Sequence, residues 1–295
     1  ASGKTWGTYY ECWRPEFKDD GSIEFTMPCF NLDPINEWYL KQEQHPDDFT
    51  TFGENGGSSR LLQNRIYYYS LMSGSDYFSE EWGLNCSYYD MKTFELSPYG
   101  KLKKTFIGEA EKLRGISANV PFALVLPKKY GTVQLRSDFS LIKKPTEYTY
   151  MGFPVTQEDE KYYKHIEGII ALLFEKRISE SGNEGHVITN TEFPDVFDIV
   201  YDDISPEQLK KYEYLIDASP DSRFSKENSD KFKIIETYDI EKLKKQLKEL
   251  IRDIMPVYVS DLCWLVSTDE NDRRFVTIFN NEGNMRSRKN GDVID

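Results

Sequence analysis

The sequence predicts an α/β protein: two consecutive βα units, then an open doubly wound α/β domain, then the start of a small β-rich domain. Three observations predict it. Residues 1–117 read as strand, long loop, helix, strand, loop, helix, and successive βα units favour parallel strands. Residues 118–256 alternate short apolar runs with amphipathic helical stripes, the pattern of an open sheet with helices on both faces. Residues 257–295 open on Cys263-Trp-Leu-Val-Ser, a polar turn at 269–274 and Phe275-Val-Thr-Ile-Phe279, which read as a β-hairpin.

Each element has its own justification. Thr5–Glu11 is a short strand ending in a carboxylate. A polar loop follows over roughly 12–57, rich in aromatic residues, and loops of this length are usually functional. Ser58 is the expected N-cap of a helix whose stripe is Leu62, Ile66 and Tyr69, with Gly74 at its end. Asp76–Glu80 is the second strand. Ser97-Pro98 is an N-cap and N1 pair for a helix striped by Leu102, Phe106, Ala110 and Leu113, with Gly115 as the C′ glycine. Phe122–Leu126 is a wholly apolar strand between prolines. Thr156 and Asp159 resemble a capping box for a helix to about 177, with Tyr163, Ile166, Ile170 and Leu173 on one face. Val196–Val200, Tyr214–Ala218 and Lys233–Glu236 are strands, and Ser205-Pro206 opens a short helix. The last helix, about 240–255, carries Leu243, Leu247, Leu250 and Ile254 and stops at Pro256.

Composition narrows the function. The chain has 295 residues, 39% hydrophobic and 29% charged, enough for about two domains and a soluble surface. Its compartment stays open, with a lean to the cytoplasm. A net charge of −13 argues against broad nucleic-acid binding, which needs a Lys/Arg surplus. No apolar run spans a membrane. Cys12, Cys29, Cys86 and Cys263 are scattered without a CxxC pair, so they read as buried free thiols, and no metal is expected. No cofactor is expected either. The Gly53-Glu-Asn-Gly-Gly-Ser-Ser stretch lacks the lysine of a phosphate loop and the spacing of a dinucleotide fold, so it reads as a tight turn into the helix. Aromatic residues make up 15%, and many fall in polar loops, where their faces suit sugar rings.

Two segments point to chemistry. Tyr9-Tyr10-Glu11-Cys12-Trp13 and Ser79-Glu80-Glu81-Trp82-Gly83 each put a carboxylate at a strand's C-terminal end beside a tryptophan. Glycosidic bond cleavage usually needs two carboxyl groups, one protonating the leaving oxygen and one attacking the anomeric carbon or activating water. Side chains alternate along a strand, so Glu81 shares a face with Ser79 and Tyr77, and Glu80 with Phe78 and Asp76. Glu81 is preferred over Glu80 as the substrate-facing residue. Arg60 is a candidate to reach a substrate hydroxyl or a catalytic carboxylate, and a surface role fits it equally. The plain alternative for the glutamates is a surface role or pairing with Arg60 or Arg65.

The segments GKTWGTYYECW, ENGGSSRLLQNRIYYYSLMSGSDYFSEEWG and FELSPYGKLKKTFI resemble the last strands of clan-A TIM-barrel glycoside hydrolases, nearest to β-galactosidase-type, family 42-like and related bacterial enzymes. In those enzymes a barrel precedes a flavodoxin-like or amidotransferase-like domain and a small β-domain. The resemblance implies that 1–117 is the C-terminal portion of the barrel, 118–256 the accessory domain and 257–295 the start of the β-domain. Two units cannot close a barrel, so about six more would precede Ala1. The resemblance makes 5–11 strand seven and 75–80 strand eight. It assigns Glu11 the retaining nucleophile's position, leaves the acid/base upstream, and makes Glu81 a substrate contact. Tyr10, Trp13 and Trp82 become sugar-stacking candidates and Asn55 a substrate-binding one.

The expected partner is an oligo- or polysaccharide, with homo-oligomer contacts through the α/β domain. A different class is a non-catalytic carbohydrate-binding or subunit-assembly module. A nucleotide-binding α/β enzyme is disfavoured because no phosphate motif is present.

Overall fold

The computed structural model describes residues 5–10, 12, 14–17, 23–31, 57–81, 83–128, 130, 154, 156–174, 193–219, 221–237, 239–260, 262–279, 286–287 and 291–292. The fold is mixed α/β, with parallel and antiparallel sheets. The described residues divide into two compact units, one built from 5–118 and 265–292, the other from 119–264.

In the first unit, β1 (Gly7–Tyr10) is followed by the antiparallel hairpin β2 (Arg14–Phe17) and β3 (Ile23–Thr26), then by α1 (Arg60–Met72) and β4 (Tyr77–Glu80). β1 and β4 pair in parallel, Gly7 opposite Tyr77 and Tyr10 opposite Glu80. The β2–β3 hairpin lies inside the stretch the sequence reads as one long loop. Each of its strands has only four residues, and Pro15 argues against a strand, so the signal is hidden. Next come α2 (Gly83–Ser87), β5 (Tyr88–Asp90), β6 (Glu95–Leu96), α3 (Pro98–Ala110) and β7 (Ser117–Ala118).

Local chemistry sets the helix ends. The N-cap of α1 is Ser59, whose hydroxyl accepts from the Leu62 N–H at 3.1 Å. The expected cap, Ser58, is instead engaged by the Tyr10 hydroxyl. At the other end Gly74 has φ +83. Its N–H donates to Leu71 O, and Ser75 N–H donates to Ser70 O, both at 3.0 Å, which is a Schellman ending. α3 starts as expected, with the Ser97 hydroxyl accepting from the Gly100 N–H at 3.0 Å and Pro98 at N1. It stops at Ala110 with Glu111 as its cap, so Gly115 belongs to a later turn and is not its C′ residue.

One face of the β1–β4 pair is covered by helices. Tyr10, Cys12, Leu62, Ile66 and Cys86 form a buried cluster with Phe78 packed against it. The Tyr67 ring lies between Phe78 at 4.8 Å and Phe106 at 5.1 Å, which joins α1, β4 and α3. Alternation puts the neighbouring residues on the other face. There Tyr9 is 57% and Tyr77 58% exposed, and Ser79 is exposed as well.

In the second unit, β8 (Phe122–Leu126) leads to α4 (Gln157–Phe174), β9 (Phe197–Tyr201), α5 (Pro206–Leu209), β10 (Tyr214–Asp217), α6 (Arg223–Asn228), β11 (Ile234–Glu236) and α7 (Ile240–Ile254). The strands form one parallel sheet in the order β11-β10-β8-β9. Both faces are covered. Ala123, Val125, Val200 and Leu215 pack with Leu209, Tyr212 and Phe224 on one side. On the other, Phe197 meets Phe174 of α4, and α4 packs against α7. The α7 stripe is Leu243, Leu247 and Ile251, all buried, while Leu250 and Ile254 flank it half-buried. Burying one such leucine stabilises the unit by about 1.5–3 kcal/mol.

The tail strands β12 (Cys263–Thr268) and β13 (Arg274–Phe279) are not a lone hairpin. β12 also pairs antiparallel with β7, Ser267 opposite Ala118, to give a three-stranded sheet β13-β12-β7. The Asp269 carboxylate shapes the turn between them, accepting from the Asn271 N–H at 3.0 Å and the Arg273 N–H at 2.9 Å.

Candidate functional site

The carboxyl ends of β1 and β4 lie side by side. Glu81 N–H donates to Tyr10 O at 3.1 Å, and Ser58 N–H donates to Cys12 O at 3.1 Å, which brings the entry to α1 to the same edge. Gly57 makes this entry possible: its φ is +70, and a Cβ there would lie 2.6 Å from Cys12 O and 2.1 Å from Pro28 Cδ.

Beneath that edge runs a buried polar chain. The Tyr10 and Ser58 hydroxyls share a hydrogen bond, and Gln63 Nε2 donates to Ser58 Oγ at 3.5 Å. The Tyr67 hydroxyl lies 3.2 Å from Gln63 Oε1 and donates to Glu80 Oε1 at 2.8 Å. Glu80 also forms an ion pair with Lys103, whose Nζ donates to Ser87 Oγ at 2.9 Å and to Gly83 O at 3.3 Å. The pair is largely withdrawn from water, with side chains 10% and 16% exposed. Burial, and then the Glu80 charge, push the Tyr67 phenol up, so it stays protonated and donates. Burial pushes the Tyr10 phenol up in the same way.

This geometry sorts the residues singled out in the sequence. Glu80 faces the helices and is engaged there, by Lys103 and Tyr67 rather than by Arg60 or Arg65. Tyr10 is buried among Leu62, Ile66 and Phe78, so its ring faces are taken by packing and offer nothing to a sugar. Glu81 is half-buried in the turn after β4, and Arg60 is half-buried at the first position of α1. Glu11, Trp13, Asn55 and Trp82 lie outside the described residues.

A second polar centre lies at the carboxyl end of β10, next to β8, where the strand order reverses. Open α/β sheets bind ligands beside such a reversal. Asp217 is buried there and accepts four hydrogen bonds. They come from Ser219 N–H at 2.9 Å, Ser219 Oγ at 2.5 Å, Ser225 N–H at 2.8 Å and Ser225 Oγ at 2.7 Å. The Thr237 hydroxyl donates to Asp217 O at 2.8 Å and lies 3.3 Å from His165 Nε2. Burial holds the His165 imidazole below its ordinary pKa. Ser222, just before α6, sits at φ 50, a left-handed position uncommon for serine. Asp217 is therefore a carboxylate that organises the β10–α6 turn.

Sequence reading missed Lys103, Tyr67, Gln63 and Asp217. Lys103 and Gln63 look like ordinary helix residues, and nothing local marks their pairing. Asp217 ends an apolar strand and is followed by Ser219, a usable signal for a capped turn. Among the described residues no group of His, Cys, Asp or Glu side chains could hold a metal ion. No described helix is long and apolar enough to cross a membrane. No protein-family model, curated protein or solved structure matches the chain at a significant level.

Proposed function

We propose that the first unit is the closing part of a (β/α)₈ glycoside hydrolase barrel and the second a flavodoxin-like accessory domain. The observation that carries this reading is the parallel β1–β4 pair, with helices on one face and exposed Tyr9, Tyr77 and Ser79 on the other. Parallel strands are normally covered on both faces, and an exposed face opposite the helices fits the inward side of a barrel. The order β11-β10-β8-β9 supports the accessory domain, because flavodoxin-like sheets reverse at the same place.

In this reading Glu11, directly after Tyr10, is the nucleophile. It attacks the anomeric carbon while an acid from the fourth barrel strand, supplied upstream, protonates the leaving oxygen. Water then releases the sugar with that second residue acting as base. Glu81 contacts substrate at the next strand end, and Trp13 and Trp82 stack on sugar rings. The Glu80–Lys103 pair fixes β4 from behind and takes no part in bond cleavage.

The test is Glu11→Gln in the full-length parent protein. Turnover of an aryl β-galactoside should fall at least about a thousandfold, roughly 4 kcal/mol of barrier, with circular dichroism unchanged. Undiminished turnover would remove the nucleophile assignment.

A second reading is a non-catalytic carbohydrate-binding module. It gains from the engagement of Glu80, which leaves Glu81 alone among the described carboxylates at this strand edge. Sugar binding by the full-length protein without hydrolysis would decide for it.

A further inference from the structure

We propose that Cys12 and Cys86 are a dithiol–disulfide pair that covalently ties the end of β1 to α2. The inference does not rest on the glycosidase reading. The two Sγ atoms are 3.3 Å apart, although the residues are 74 positions apart in sequence. A disulfide needs about 2.05 Å, so closure calls for a shift of little more than about 1 Å, within reach of side-chain rotation.

The surroundings favour this pair over the other thiols. Cys12 and Cys86 are both fully buried in the cluster that joins β1 to α1. Cys29 is nearby, but its Sγ rests 3.8 Å from Asn31 O, and the Sγ–Sγ contact is the one between Cys12 and Cys86; Cys263 is buried in β12. The Cys12 contact and burial hold the Cys86 thiol above its ordinary range. Oxidation is accordingly slow and proceeds through local opening.

The oxidant is glutathione disulfide. One cysteine thiolate attacks it, expelling one glutathione thiolate and leaving a mixed disulfide on the protein. The other cysteine attacks the protein sulfur of that mixed disulfide and expels the second glutathione. The chain loses two hydrogens, and one glutathione disulfide becomes two glutathiones. The bond closes a long loop, so the oxidised chain is the more resistant to unfolding.

The experiment uses the intact, pre-reduced chain in native buffer with glutathione disulfide, followed by N-ethylmaleimide, non-reducing digestion and mass spectrometry. The expected product is one cross-linked peptide pair carrying Cys12 and Cys86, with maleimide on Cys29 and Cys263. The Tm of the first unit should rise by about 5 °C and return on adding dithiothreitol. Cys12→Ala should abolish both the pair and the rise, and Cys29→Ala should preserve both. Maleimide on Cys12 and Cys86 after oxidation, a bridge that uses Cys29, or a bridge that forms only in urea would each overturn the proposal. The first readout needs no variant, so a misfolded substitution cannot mask the answer.

Discussion

The four-stranded sheet of the second unit and the β1–β4 pair of the first are both parallel, yet they are finished differently. The larger sheet has helices on each face, and the carboxylate at its central edge, Asp217, has its hydrogen bonds supplied by its own turn. Among the described residues the smaller pair has helices on one face, and its other side presents Tyr9 and Tyr77 to solvent. Its inner carboxylate, Glu80, is satisfied across elements, by α1 and α3. The larger sheet meets its carboxylate's needs within one turn, whereas the pair relies on side chains from two helices. The difference separates residues whose loss is felt within one unit from residues that would gain importance in a larger assembly.

Substitutions break or sharpen that contrast. The largest effect belongs to the self-contained sheet: Asp217→Ala strips four hydrogen bonds from a buried turn and should cost about 4 kcal/mol, read as faster hydrogen exchange in β8 and β10. An unchanged exchange rate would mean the turn does not depend on the carboxylate. Next, Glu80→Gln keeps a partner for Tyr67 but leaves Lys103 buried without its anion, at a cost of about 2–3 kcal/mol, measured by the urea midpoint of the first unit. Gly74→Ala should cost about 1 kcal/mol, from its left-handed φ and a new Cβ only 3.1 Å from Ile116 O.

The smallest effects are the sharpest. Tyr77→Ser should change the stability of this chain by less than about 0.5 kcal/mol, because its ring is exposed. Under the proposed barrel reading the same substitution in the full-length protein should cost several-fold more, and equal costs in both would count against that reading. His165 gives a pH signature. Its folded pKa is depressed, so the unfolded chain binds the proton more readily. That contribution to stability is present above the unfolded value near 6.5 and is lost as pH falls from there through the lower folded value. His165→Gln should flatten the acid slope of stability in the second unit.

Legibility follows the range of the signal. The α7 helix with Leu243 and Leu247 of its stripe, the Ser97-Pro98 start of α3, the Gly74 stop and the apolar β8 were readable, because each depends on residues a few positions apart; Ile251, which completes the stripe in place of Leu250 and Ile254, was missed. The β2–β3 hairpin was not, since four-residue strands with an internal proline carry too little alternation. The choice between Ser58 and Ser59 as cap turned on Tyr10, 48 residues away. The candidate site suffers most from this limit. Alternation correctly separates Glu80 from the Tyr77 and Ser79 face, but it could not say that Lys103 would claim it. Nor could it say that Tyr10 would be an interior residue rather than a sugar platform. Partners met only after folding leave no local trace.

The pairing of β7 with β12 has a consequence for how the chain is made. Ala118 leaves the ribosome roughly 150 residues before its partner Ser267, and at about 5–20 residues per second that is a wait of roughly 8–30 s. In that interval the whole second unit is synthesised and has time to fold. The first unit therefore holds β7 without its partner until β12 arrives. A nascent chain stalled just after Trp264 should carry a protease-resistant α/β unit and a first unit still open to cleavage at β7.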